Sequence, residues 1–250
     1  MKELEYFFAA LRFFTRLPVP GWVRHSAEQL NHAARWFPAI GLIVGTIGAA
    51  VTLAALQLWP VQIAVLFGMA ATLLVTGAFH EDGLADSIDG FGGGWTKAQV
   101  LAIMKDSRIG SYGAIGIGMA LLAKFQALAV LPAPTLPLAL IAGHAVSRLA
   151  STTLIFALDY ARDDDTSKSK PLATRMGKGE LAVAALCGFA PCLLLPWPQV
   201  TVALLLVAVV TLLAARYFVR RIGGYTGDCL GATQQLTEIA FYLGLLCDFG

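Results

Sequence analysis

Long apolar stretches alternate along the chain with polar links, and the links are of two kinds. Residues 39–58 carry no charge, and residues 61–79 repeat the pattern after only Trp59-Pro60. Further apolar runs cover 111–131, 136–158, 181–195, 200–217 and 234–247, of which the fifth and seventh are the shortest. A helix needs roughly 17–25 apolar residues to cross the hydrocarbon layer, so the pattern predicts an all-α, polytopic membrane bundle of about seven (six to eight) spans. The runs are rich in Ala and Leu and lack the period-two alternation of a membrane barrel, which excludes strands.

Three links, Trp59-Pro60, residues 132–135 and residues 196–199, are short, Pro-rich and free of Lys and Arg. The basic residues lie in the other links: Lys2, Arg12, Arg16, Arg24 and Arg35; Lys97, Lys105 and Arg108; Arg162, Lys168, Lys170, Arg175 and Lys178; Arg216, Arg220 and Arg221. The positive-inside bias puts these segments in the cytoplasm. The chain is thus expected to be one multi-pass inner-membrane domain over residues 1–250. Its cytoplasmic parts would be 1–36, 80–110, 159–179 and 220–232. The aromatic and basic residues at 6–18 suggest an interfacial helix rather than a signal peptide. Composition agrees: 57% of residues are hydrophobic, 14% are charged, and mean hydropathy is +0.70. A soluble domain cannot hide so much apolar surface, and a net charge of +2 gives no reason to expect a nucleic-acid partner. The four cysteines show no metal-ligand spacing, and three of them lie in or beside apolar runs and read as core residues.

The candidate chemistry lies in the links expected to be cytoplasmic. His80, Glu81, Asp82, Asp86 and Asp89 crowd into ten positions, and Asp82, Asp86 and Asp89 share a helix face. No basic residue occurs between His80 and Lys97 to offset them, so a divalent metal is favoured. Mg²⁺ takes one or two carboxylates with water and substrate phosphates, and the following Gly90, Gly92 and their neighbours suggest a backbone cradle for a pyrophosphate. A second segment supplies Asp106 as ligand or base, Ser107, Arg108 as a bidentate phosphate donor, and Gly110 before a helix start. A third holds Thr226, Gly227 and Asp228. Arg148 and Glu238 lie in apolar runs, where an unpaired charge is costly, so both should face the bundle interior or a polar cavity, and both are candidate substrate contacts. Lys124 and His144 fall in the same class, with a structural contact favoured. The stretch 159–171, with three consecutive acids at 163–165 among basic residues, reads as a mobile solvated loop, with a lid as the alternative.

Taken together, these motifs resemble the cobalamin synthases, also called adenosylcobinamide-GDP ribazoletransferases. The resemblance rests on Phe-Thr-Arg-Leu-Pro-Val-Pro at 14–20, Phe-Pro-Ala-Ile-Gly at 37–41, His-Glu-Asp-Gly-Leu-Ala-Asp at 80–86 with Asp89-Gly90, Met-Lys-Asp-Ser-Arg-Ile-Gly at 104–110, Ala-Val-Ser-Arg at 145–148 and Gly-Tyr-Thr-Gly-Asp at 224–228. It implies a Mg²⁺-dependent membrane transferase that joins adenosylcobinamide-GDP to α-ribazole, or to its 5′-phosphate, and releases GMP. Asp82, Asp86 and Asp89 would hold the metal and Arg108 a phosphate oxygen. Asp106, Asp228 or His80 would take the nucleophile's proton, and the residues alone do not choose among them. Residence in the bilayer further suggests co-localisation with other membrane-bound steps of the same pathway.

Two other classes compete. A CDP-alcohol phosphotransferase also uses Asp-x-x-Asp-Gly carboxylates, as in Asp86-Ser-Ile-Asp-Gly90, but its Ala-Arg pair is replaced here by Phe91-Gly-Gly-Gly-Trp95. A transporter would use Lys124, His144, Arg148 and Glu238 along a path, yet would leave the carboxylate-rich loops without a purpose.

Overall fold

The computed structural model describes residues 2–23, 27–161 and 175–247. Arg24, Arg162, the acids at 163–165, Lys168 and Lys170 lie outside the described residues, as does most of the expected loop at 159–179. Among the described residues every regular element is helical. In chain order the helices are α1 (Lys2–Phe14), α2 (Ala27–Ala33), α3 (Phe37–Ala55), α4 (Val61–Thr76), α5 (Phe79–Gly93), α6 (Lys97–Lys105), α7 (Ser111–Val130), α8 (Leu136–Ala157), α9 (Lys178–Phe189), α10 (Trp197–Ile222) and α11 (Gly227–Leu245).

Four helical runs are long and apolar enough to cross a membrane: Gln29–Ala55, α7, α8 and α10. The expected span over 61–79 stops at Thr76, where the chain bends by 86° into α5; taken as one unit, the pair makes a fifth crossing. The bend has a local cause. Gly77 and Ala78 both adopt left-handed backbone (φ 66° and 55°), and their amides close back on Leu73. Such a conformation costs a non-glycine residue roughly 1–2 kcal/mol, so Ala78 is held there by its surroundings. The other two expected spans differ for other reasons. Helix α9 is only 12 residues long and ends in a 3₁₀ turn at Ala190–Leu194. Helix α11 is long enough but carries Asp228, Gln234, Gln235 and Glu238.

That polarity follows from the position of α11. It packs against α5, α7, α8 and α10, and most of its residues are buried. Helix α3 packs against α8 and α4. At Gly45 a Cβ would lie 2.7 Å from the Ile141 Cα, and Gly41, one turn earlier, meets the α8 backbone in the same way. Small residues four apart let α3 and α8 approach at backbone distance, the contact that drives association where lipid removes the hydrophobic force between helices. Helix α10, by contrast, leaves Leu205, Val209, Leu212 and Leu213 exposed, as a lipid-facing helix does.

The polar links meet at one end. The segment after α8 pairs with the α10–α11 loop through Tyr225 N to Asp159 O (3.0 Å) and Ala161 N to Tyr225 O (2.9 Å). The segment after α1 reaches the end of α4 through Arg16 N to Val75 O (2.8 Å). Arg221 reaches across to donate to the carbonyls of Phe91 (3.3 Å) and Gly94 (2.6 Å), neutralising the carbonyl end of α5.

Candidate active site

Helix α5 carries the acidic cluster, and its sequence suits a helix start: Glu81 and Asp82 occupy the first turn, where the peptide dipoles favour negative charge. Gly83 on α5 faces Gly231 on α11. A Cβ at Gly83 would stand 3.1 Å from the Asp228 carbonyl oxygen and 3.3 Å from the Gly231 Cα. The crossing therefore brings the start of α11, with Asp228, against the first turns of α5. At about 100° per residue, Asp82 and Asp86 flank this contact on the side that leads to Asp89. Asp82 is exposed, and Asp86 and Asp228 are partly exposed.

Asp89 is used differently from its two companions. Its residue is 8% exposed, and its oxygens accept the amides of Gly110 (2.6 Å) and Gly113 (2.8 Å) at the start of α7. The expected three-carboxylate metal set is therefore not assembled. Among the described residues no three His, Cys, Asp or Glu side chains converge as a preformed metal cage. The Asp82–Asp86 pair still fits Mg²⁺, because that ion needs only one or two carboxylates when phosphate oxygens and water complete its shell.

The segment at 104–110 is the most open part of the site. Arg108 donates to Asp106 through Nη2 to Oδ2 (2.7 Å) and Nε to Oδ1 (3.1 Å), and its own amide also bonds Oδ1 (3.1 Å). The Arg108 side chain is 86% exposed. The guanidinium hydrogen bonds hold the Asp106 carboxyl below its ordinary value, and the carboxylate raises Arg108 in return. Ser107 is also exposed. This is a planar cation waiting at the surface on a weak partner, which a phosphate can replace.

Several expected contacts are buried instead. His80 is 3% exposed, stacked on Phe14 at 5.0 Å, and lines a cavity of about 20 Å³ with Ser151, Gly227 and Gly231. That space holds about one water molecule, so His80 is walled off from a substrate's ribose. Thr226 is the buried N-cap of α11, accepting from Cys229 N (3.3 Å) and donating to Asp228 Oδ2 (3.3 Å). It orients Asp228 rather than meeting a phosphate. The glycines at 90–94 do not form an open cradle: α5 continues to Gly93, Gly90 is buried against Met104 and the Val100 carbonyl, and Gly92 lies against the Tyr112 ring. Their missing side chains let α6 and α7 pack closely. The Gly110 amide is already taken by Asp89.

Arg148 and Glu238 belong to a network in the bundle interior. Lys124 Nζ lies 3.2 Å from Glu238 Oε1 and donates to Gln235 Oε1 (2.7 Å). Gln235 Nε2 donates to Glu81 Oε1 (2.8 Å), Gln234 Nε2 to Glu238 Oε2 (2.7 Å), and the Tyr242 hydroxyl to Glu238 Oε1 (3.0 Å). Arg148 donates to the His144 carbonyl (2.9 Å), and His144 Nδ1 stands 3.6 Å from Glu238. Two carboxylates thus offset two cations, with amides and a phenol bonded among them, while Glu81 Oε2 and Arg148 Nε are left without a hydrogen-bond partner among the described residues. Lys124 and His144 are in structural contact, as expected, and Arg148 and Glu238 share that fate.

Sequence reading gave no role to three of the residues found here. Glu81, Gln234 and Gln235 connect α5 to this network, and for the two amides the signal was present: Gln234 and Gln235 precede Glu238 by four and three residues on one face of α11. Arg16 places its guanidinium against Gly77, at the head of α5, so that any side chain at position 77 would collide with it. Arg16 is exposed and sits inside the 14–20 motif, which sequence reading used for topology and resemblance without giving Arg16 a place in the site.

The family model described as cobalamin-5-phosphate synthase matches residues 6–246. A protein of Shewanella frigidimarina named adenosylcobinamide-GDP ribazoletransferase is 47% identical over 249 residues, covering 98% of this chain and 95% of its own. Proteins of the same name from Shewanella pealeana (47% over 248 residues) and Shewanella woodyi (48% over 253 residues) cover 98% of this chain and 96% of their own. No solved structure is significantly similar.

Proposed function

The chain belongs to the cobalamin-5-phosphate synthase family, and we propose that it joins adenosylcobinamide-GDP to α-ribazole, or to its 5′-phosphate, and releases GMP, at the end of the bundle where α5, α7 and α11 begin or meet. The observation that carries this reading is the Gly83–Gly231 crossing, which sets Asp228 beside the α5 turns that bear Asp82 and Asp86. The reaction forms a bond from a nucleophilic oxygen of the ribazole substrate to the cobinamide-linked phosphorus. It breaks the bond from that phosphorus to the oxygen leaving with GMP.

Asp82 and Asp86 would hold Mg²⁺. When bound, that ion supplies charge neutralisation for the pyrophosphate and the departing phosphate. The protein's own groups do the rest. Arg108 exchanges Asp106 for a phosphate oxygen, a bidentate contact that aligns the pyrophosphate. Asp228, oriented by Thr226 and open on one side, takes the proton of the attacking hydroxyl. His80 is too enclosed for that task. Arg16, at the head of α5, offers a second cation to the same anionic substrate. The site faces the cytoplasm of the inner membrane, a side supported by the basic residues in the links gathered there.

The test uses purified protein in lipid nanodiscs. GMP should be released from adenosylcobinamide-GDP only when α-ribazole and a divalent metal are both present. Release without the ribazole, or transfer from a CDP-alcohol donor alone, would overturn the assignment. A cysteine at position 134 should react with an impermeant reagent from outside and one at position 92 should not, while the reverse pattern would invert the topology.

A further inference from the structure

We infer that Asp89 is a positioning residue, not a metal ligand: it ties the helix that bears Asp82 and Asp86 to the turn that presents Arg108. Three independent features lead there. The first is the bonding itself, with one carboxylate oxygen on the Gly110 amide at 2.6 Å and the other on the Gly113 amide at 2.8 Å. The second is that α7 has no cap of its own. Its N-cap is Gly110, without a side chain, so the first amides of α7 would lack partners if α5 did not supply one. The third is steric. A Cβ at Gly110 or at Gly113 would overlap the Asp89 carboxylate, so both positions are empty of side chain where the carboxylate seats.

Electrostatics separates this role from metal binding. The amino end of a helix carries roughly half a positive charge, which attracts a carboxylate and repels a cation. A divalent ion on Asp89 would sit against the start of α7 and would compete with two amides for the same oxygens. Asp82, two turns earlier on α5, is exposed and faces no such competitor among the described residues. Seven residues of helix place Asp82 about 10 Å from Asp89 along the axis. Arg108 is two residues before Gly110. With the tether made, the distance between the metal-binding turns of α5 and the Arg108 turn is fixed. Without it, the Arg108 turn is held to α5 by helix packing alone, and the Arg108 side chain by its exposed bond to Asp106.

The kinetic side of this proposal rests on the transferase reading above, and its structural side does not. Two variants are compared with the wild type in nanodiscs. Asp89→Asn removes the charge, and Gly110→Ala displaces the carboxylate without altering any acid. The Gly110 backbone (φ −90°, ψ 175°) accepts alanine, and the three atoms nearest its Cβ path all belong to Asp89. Amide exchange over residues 110–114 should accelerate in both variants, which tests the tether even if no turnover is found. Mn²⁺ affinity, read by electron paramagnetic resonance, should stay within about twofold, since no ligand is lost. KM for adenosylcobinamide-GDP should rise about 10- to 100-fold in both, the scale of a misplaced phosphate contact. Loss of Mn²⁺ binding in Asp89→Asn but not in Gly110→Ala would overturn the proposal and make Asp89 a ligand. Unchanged KM with a lowered melting point would reduce the tether to a structural cap. Absence of turnover in the wild type, with exchange accelerated in the variants, would sink the transferase reading and leave the tether standing.

Discussion

Two ion pairs in this protein have the same chemistry and opposite surroundings. Arg108 and Asp106 meet at 2.7 Å in a tight turn, with the arginine 86% exposed. Lys124 and Glu238 meet at 3.2 Å between α7 and α11, with side chains 6% and 1% exposed. In water an ion pair contributes about 0–1 kcal/mol and exchanges its members freely. In the interior the pair is expensive to assemble, and removing one member strands the other. The exposed pair can therefore serve a substrate, whereas the buried one can only serve the bundle. The same division runs through the whole polar inventory: Asp82, Asp86, Asp106, Arg108 and Asp228 on the open side, and Glu81, Lys124, Arg148 and Glu238 inside.

The division breaks if open residues prove to matter for folding or buried ones for chemistry alone. The largest effect is expected at Asp82. Asp82→Asn should lower kcat by about 10³-fold or more if Asp82 holds the proposed ion, which would offset the developing phosphate charge. Its melting temperature should stay near that of the wild type, because Asp82 is exposed at the head of α5. Substantial residual turnover would break the metal assignment.

On the buried side, Lys124→Met should cost about 3–5 kcal/mol, seen as a large fall in the thermal midpoint in detergent. Glu238→Leu alone should do similar damage. Together they should cost well under the sum, because Glu81 and Arg148 then remain as one balanced pair. A double variant that costs the full sum of the two singles would mean that the four charges do not act as a set.

Much of this division was legible in the sequence. Apolar runs separated by polar links give helices in a membrane, because the bilayer permits little else. The one-sided distribution of Lys and Arg foretold which links would meet, and they do meet at one end. Burial was harder to read. His80 and Asp82 are neighbours in one motif, yet the helical turn sends one against Phe14 and the other to the open side. Gly90 and Gly110 look like phosphate-loop residues, but close helix packing also requires residues without side chains. Arg148 and Glu238 were correctly expected to face inward. That the inside was already filled by Gln234, Gln235 and Tyr242 depends on how α8 and α11 are rotated, which periodicity on two mainly apolar helices does not fix.

The next effect in size sharpens the open side. Arg108→Ala should raise KM for adenosylcobinamide-GDP about 10- to 100-fold, the value of a charge-assisted phosphate contact, with no loss of thermal stability. A stability loss comparable to that of Lys124→Met would contradict the comparison directly.

The smallest effect concerns Asp106, and it separates a holder of Arg108 from a catalytic base. Its carboxyl is held below the ordinary value of 3.8 by the Arg108 hydrogen bonds. A group with a lowered folded value adds stability above its unfolded pKa and loses it as pH falls through the folded one. Asp106 therefore stays ionised above the ordinary carboxylate range, and a substrate phosphate must compete with it for Arg108. Asp106→Asn weakens that competitor. If Asp106 only holds Arg108, KM should fall slightly or stay level, kcat should hold, and the activity profile above pH 5 should keep its shape. If Asp106 were the base, kcat should drop steeply and the acidic limb of the profile should move. The same measurements on Asp228→Asn should give the second pattern, because Asp228 stands beside the α5 turns with its orientation set by Thr226. Reversal of the two outcomes would transfer the proton-accepting role from α11 to the Arg108 turn.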